Sequence, residues 1–274
     1  MIHESKSELL RELQAIETWE SEQKDLWFWE KWGRLPFVWL DKLTPAFIQE
    51  KIGVALNELG GFIQTGGQYL IQEQDILHKV LSKAEIDADK REPLSIVRGL
   101  PLRLMDETAK ELMESRVKLA TIQGATTGIG GIFTLAIDIP LLLGISLKVL
   151  QEIALCYGYD PKDKAERVFI VKSLQFSSAD YVGKQAVLEE LSDFPQNSQT
   201  MISQLQGWRE VVTAYRDNFG WKKLFQMIPI AGMLFGAFLN RSTLTGVAET
   251  GMMLYRKRRI LQRLQTTEDE KTWQ

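Results

Sequence analysis

The sequence predicts an all-α protein, a multi-helix bundle with a central apolar helical hairpin. Three observations predict it. Apolar residues recur at three- and four-residue spacing along nearly the whole chain, which lines them on one face of an α-helix. No run of alternating β-branched residues bounded by turn residues breaks that pattern. Residues 120–147 carry a single charge, Asp138, and so form a tract that either a bundle interior or a bilayer accepts.

Taken in order, the first helix is expected from about 7 to 26, with Leu9, Leu10, Leu13, Ile16 and Trp19 on one stripe and Glu and Lys opposite. From Trp27 the composition changes. Trp27, Trp29, Trp32 and Trp39 join Phe28 and Phe37, and five of the eight tryptophans lie between positions 19 and 39. Thr44-Pro45 fits an N-cap followed by proline in the first turn, starting a helix that ends at Gly60-Gly61. A further apolar-periodic stretch continues through Phe62, Ile63, Tyr69, Leu70, Ile76 and Leu77. The charged run ahead of Pro93 is the best boundary. It divides an N-terminal helical region with the Trp-rich segment (1–92) from a helical core (93–265), which a polar C-terminal tail follows (266–274).

Beyond Pro101, Asp106 precedes Lys110 and Glu114 precedes Lys118 in the acid-first i,i+4 order that supports a helix. The apolar tract follows. Its first part, 120–137, comes to roughly 27 Å at 1.5 Å per residue, just short of a hydrocarbon core of ~30 Å. Asp138-Ile139-Pro140 should interrupt it, because the residue before proline is pushed out of the α region and aspartate can cap the helix that follows. The second arm of the hairpin runs through Lys148, Gln151 and Glu152 to Tyr157-Gly158-Tyr159-Asp160-Pro161. There Gly158 suits the C′ position, and Asp160-Pro161 suits the next N-cap and first turn. Helices over 168–191 and around Trp208 are separated by a polar loop at 192–200. A second uncharged stretch, 224–240, contains Pro229. Gly232 with Gly236, and Gly124 with Gly128, have the GxxxG spacing that lets helix backbones approach closely. The last helix, about 242–264, carries the basic cluster Arg256, Lys257, Arg258 and Arg259.

Composition excludes several function classes. With 33 basic and 36 acidic residues and a net charge of −3, the chain lacks the basic surface that nucleic-acid binding needs. One cysteine, Cys156, forbids an internal disulfide and suits a reducing compartment. The polar N-terminus shows no cleavable signal, so a cytoplasmic location is expected, at the inner face of the cell membrane. Two histidines, His3 and His78, leave little for zinc sites, Ser-His-Asp triads or Cys-His pairs, and neither a metal nor a cofactor is expected. His78 reads as an ordinary helix residue. The glycines of 124–131 lack both the Gly-Lys-Ser/Thr ending and the preceding strand of a phosphate-binding loop, which favours helix packing. Asp138 reads as a helix cap ahead of a catalytic or ion-binding group. No carboxylate pair stands out for acid–base work, and no catalytic residue is assigned. The tryptophan cluster suits a core, a partner groove or an interfacial anchor, since indole joins an apolar body to a polar N–H. Arg256, Lys257, Arg258 and Arg259 suit a solvated face or contact with anionic lipid.

Four motifs in order carry a family resemblance: Gly128-Ile129-Gly130-Gly131; Asp138-Ile139-Pro140; Gln151-Glu152 followed by Tyr157-Gly158-Tyr159-Asp160; and Pro229 with Gly232, Gly236 and Asn240. Together they resemble the EcsC family of bacterial proteins over about 93–261, leaving the Trp-rich head outside. The resemblance implies an accessory or regulatory protein, since the founding member looks like an accessory of an ABC transporter system that affects protein secretion. It carries no family reaction, so Gly128, Gly130, Gly131, Asp138, Pro140, Tyr157, Gly158, Pro229, Gly232, Gly236 and Asn240 are signature positions without an assigned role.

The expected function is therefore a non-enzymatic protein that associates peripherally with a membrane surface or a membrane protein, ABC transporter subunits among the candidates. Trp27, Trp29, Trp32, Trp39 and the four bases of the last helix are its candidate contacts. The alternative is a helical scaffold or interaction module with no membrane contact, both apolar stretches being buried. An enzyme using carboxylates is a third reading. It would require a deep pocket bringing Asp138 to a second carboxylate.

Overall fold

The computed structural model describes residues 4–23, 46–66, 71–87, 92–127, 132–178, 181–192, 194 and 243–272. These fold into helices α1 (Lys6–Gln23), α2 (Ala46–Thr65), α3 (Glu73–Lys83), α4 (Pro93–Arg98), α5 (Leu102–Thr127), α6 (Ile132–Cys156), α7 (Lys164–Ser178), α8 (Tyr181–Ser192) and α9 (Thr243–Thr272), with no strand among the described residues. The all-α bundle is as the periodicity requires.

Helix α6 is the centre and packs against α2, α3, α5, α7 and α9. Its sequence explains the position. Leu143, Leu147, Leu150, Ile153 and Ala154 are fully buried, and every residue from 149 to 159 is buried, so the last two turns of the helix have no face left for water. Helix α9 lays Leu244, Val247, Ala248, Gly251, Leu254 and Tyr255 on this core at three- and four-residue steps, and also touches α1, α5 and α7. On α1 the buried stripe is Leu9, Ile16 and Trp19, with Leu13 partly buried; Leu10, expected on it, stands 48% exposed. Ser5 and Glu8 form a reciprocal capping box, Glu8 accepting from the Ser5 N–H at 2.7 Å while Ser5 Oγ accepts from the Glu8 N–H at 3.3 Å.

The hairpin forms with its turn in a different place. Asp106 meets Tyr157 and Arg116 meets Glu152, so α5 and α6 run antiparallel, and the chain passes from one to the other between Thr127 and Ile132. Asp138 and Pro140 do not end a helix: both lie inside α6, whose backbone continues through them. The four residues between the two helices include Gly128, Gly130 and Gly131, each about 1 kcal/mol poorer than alanine in a helix. Asp106 likewise spends its carboxylate on other helices rather than on Lys110.

Helix α2 overruns Gly60-Gly61 to Thr65. Phe62 and Ile63 are buried in the core, and Arg167 of α7 donates to the carbonyls of Ile63 (3.0 Å) and Gln64 (3.1 Å), satisfying the exposed end of the helix. Gly66, at φ +83°, closes it. Asp160 is not the N-cap of α7; its Oδ1 accepts from the Lys162 N–H at 2.9 Å in a turn, and Asp163 takes the cap position, its carbonyl receiving the Arg167 N–H at 3.0 Å. No helix among the described residues is long and apolar enough to cross a membrane.

Candidate functional site

The end of α6 is a Schellman motif: the Gly158 N–H reaches the Leu155 carbonyl at 2.9 Å and the Tyr159 N–H reaches the Ala154 carbonyl at 2.9 Å. Gly158 holds φ +77°, and a Cβ there would come within 2.7 Å of Arg98 Cγ and 3.1 Å of the Arg98 backbone. Conformation and space both demand glycine. The reversal that Gly158 makes turns Tyr157 and Tyr159 inward toward α9.

Two polar chains run through this region, one starting from Tyr157 and the other from Tyr255 of α9. Tyr157 donates its hydroxyl to Asp106 Oδ1 at 2.6 Å; Arg256 bridges Asp106 Oδ2 and Glu12 Oε2, both at 2.9 Å. One line of hydrogen bonds thus joins α6, α5, α9 and α1. In the second, Tyr255 donates to Glu166 Oε1 at 2.7 Å, and Arg258 Nη1 holds both oxygens of Glu166, at 3.0 and 2.9 Å. The Arg258 guanidinium is enclosed by the rings of Tyr159, Phe169 and Phe194, 4.2 to 5.1 Å from their centroids. Nearby, Arg116 pairs with the buried Glu152 through two bonds of 2.9 and 2.6 Å, and Lys257 pairs with Glu20 at 2.7 Å.

Burial raises the carboxyls of Asp106 and Glu166 above the usual range, against the pull of their tyrosine and arginine partners. Tyr157 and Tyr255 are pushed well above an ordinary phenol, first by burial and then by the adjacent carboxylates. Cys156 is fully buried, and burial pushes its thiol up, so the site offers no thiolate. Among the described residues no group of three His, Cys, Asp or Glu side chains is placed to hold a metal ion. What the arrangement does chemically is lock five helices in one register.

Of the signature positions, Tyr157 and Gly158 stand at the origin of this network. Asp138 and Pro140 are backbone positions within α6, while Gly128, Gly130, Gly131, Pro229, Gly232, Gly236 and Asn240 lie outside the described residues, as do Trp27, Trp29, Trp32 and Trp39. The cluster on α9 is bonded internally at every member: Arg256 to Asp106 and Glu12, Lys257 to Glu20, Arg258 to Glu166, Arg259 to the Tyr157 carbonyl. A contact with lipid headgroups would compete with these bonds. Glu166, Tyr255 and Arg116 belong to no motif of the sequence, and Asp106 stood out only as a helix-supporting acid. Glu152 lies in the Gln151-Glu152 motif, a carboxylate in a largely apolar segment that needs a buried cation opposite.

The EcsC protein family matches residues 10–260, which takes in the Trp-rich head that the motif resemblance left outside. A chain described as uncharacterized protein YdbA, from Bacillus subtilis (strain 168), is 58% identical over 269 residues, covering 97% of this chain and 98% of its own. Protein EcsC of the same organism is 34% identical over 162 residues, 58% of this chain and 66% of that one. No solved structure matches. With a match spanning nearly its whole length, the chain belongs to the EcsC protein family.

Proposed function

We propose that the protein is a non-enzymatic accessory or regulatory protein that docks peripherally at the inner face of the cell membrane, on the membrane or on a membrane protein such as an ABC transporter subunit. The observation that carries the peripheral form is the fate of the apolar tract. Its last residues, Leu143 and Leu147, are fully buried in the bundle, and no described helix can cross a bilayer. The uncharged 224–240 stretch and the tryptophans between 27 and 39 supply amphipathic material for a reversible contact. Membrane pellets from lysed cells, washed in turn with high salt, alkaline carbonate and detergent, test this. Release by salt or carbonate is expected. Release by detergent alone, or recovery in the soluble fraction from the start, overturns it.

A second reading, a helical scaffold with no membrane contact, is favoured by the internal pairing of Arg256, Lys257 and Arg258, which leaves their charge committed within the fold. Recovery in the soluble fraction supports this reading.

A further inference from the structure

Three of the four consecutive cations on α9 are matched by carboxylates, and Arg259 is not. Its Nε donates to the Tyr157 carbonyl at 3.0 Å and its Nη1 to the Gln262 side-chain oxygen at 3.1 Å, both neutral acceptors, while its guanidinium lies 4.4 Å over the Tyr159 ring. The residue is 7% exposed. Burial, together with the charges of Arg263, Arg98 and Arg258, lowers the pKa of its guanidinium. A buried cation with no counter-charge among the described residues is an unfavourable arrangement that an anion would relieve.

Arg259 forms part of the wall of a cleft of about 540 Å³, a volume in the range of small-ligand sites. Lys6, Arg98 and Arg263 share the lining, and Glu4 is its one acid. Glu4 is already committed, one oxygen to Arg263 and the other to the Leu102 N–H. Arg98 donates its Nε to the Gly158 carbonyl at 2.8 Å, and its two terminal nitrogens have no partner among the described residues. The cleft therefore sets four cations against one carboxylate, and the Gly158 turn fixes both Arg98 and Arg259 at its edge.

We infer that this cleft, between the start of α1, the end of α4 and the later turns of α9, binds a phosphate-bearing anion. Paired N–H donors on a planar guanidinium match the spacing of two phosphate oxygens. A phosphate monoester carries close to two negative charges and three acceptor oxygens, enough to face Arg98 and Arg259 together. A carboxylate offers half that charge. The phosphate can belong to a soluble compound or to a lipid headgroup. The inference stands apart from the membrane reading, because a soluble phosphate satisfies it equally.

Calorimetric titration of the full chain with inorganic phosphate at constant ionic strength, beside flotation with phosphatidylcholine vesicles with and without phosphatidic acid, whose headgroup is a phosphate monoester, tests the site. Saturable binding is expected, weakened about tenfold by Arg98→Gln, the loss of one charge-assisted contact. Lys6→Gln, at an exposed position, serves as the second variant should the first disturb folding. Lys83→Gln, which removes the same charge on α3 away from the cleft, should leave binding unchanged. Phosphate binding sensitive to Arg98→Gln assigns a soluble ligand. Variant-sensitive capture by phosphatidic acid vesicles without a phosphate response assigns a headgroup. Absence of saturable binding to both probes, or binding that both cleft variants leave intact, overturns the inference.

Discussion

At the residue scale Gly158 carries the most consequence for its size. Its φ of +77° is open to glycine and strained for L-residues, and the space beside its Cα is filled by Arg98. A methyl group there would meet backbone atoms of Arg98 at 3.1 Å as well as its flexible Cγ, so the neighbour cannot simply swing away. Strain and crowding add. Gly158→Ala should destabilise the protein by about 2–5 kcal/mol, from ~1–2 kcal/mol for the left-handed backbone and ~1–3 kcal/mol for overpacking. Urea unfolding measures it directly, and an unchanged midpoint would show that the turn relaxes. This position was legible in the sequence because a helix C-terminus is a local event: an apolar helix running into Tyr-Gly-Tyr-Asp-Pro announces both its stop and the residue that makes it.

At the scale of elements, local rules were overridden wherever a distant side chain supplied what the sequence seemed to lack. Gly60-Gly61 is a plausible helix end, yet α2 continues because Phe62 and Ile63 are held in the core and Arg167, a hundred residues away in sequence, caps their turn. Pro140 is a plausible break, yet the backbone of α6 continues through it. Neither outcome follows from propensity alone, since each compares two weak local signals whose balance is set by burial. The capping role of Arg167 makes a definite expectation. Its guanidinium is buried, which lowers its pKa, and it also bonds the Lys162 carbonyl. Arg167→Met keeps most of the apolar stem and removes the donors, leaving buried carbonyls unsatisfied at about 1–3 kcal/mol. Stability should fall by that amount, and amide-hydrogen exchange at Gly66, which bonds the Phe62 carbonyl at 2.8 Å, should accelerate beyond the global change. Uniform acceleration across all helices would assign Arg167 to packing instead.

At the scale of the whole molecule, the fold is a central apolar helix whose one polar end is tied to the surrounding helices through two phenols. The sequence displayed the cations on α9 as a run, but their partners Glu12, Glu20, Asp106 and Glu166 lie roughly 90 to 250 residues away, so the cluster read as surface charge when its members face inward. Pairing over such separations is decided by helix packing, which periodicity leaves open. The same architecture sets the response to alkali. Tyr157 and Tyr255 are fully buried and donate to carboxylates at 2.6 and 2.7 Å, so ionising either would press two anions together. Their folded pKa values stand well above 10, higher than in the unfolded chain. The stabilisation is therefore complete below about pH 10 and is lost as pH rises toward the folded values, at about 1.4 kcal/mol per pH unit for each phenol. The six tyrosines should consequently titrate in two classes when tyrosinate absorbance is followed alongside circular dichroism, the buried Tyr157, Tyr159 and Tyr255 ionising only as helicity collapses. A single smooth titration of all six with the helices intact would mean that the two phenols reach water without unfolding, and that the network does not hold the five helices together.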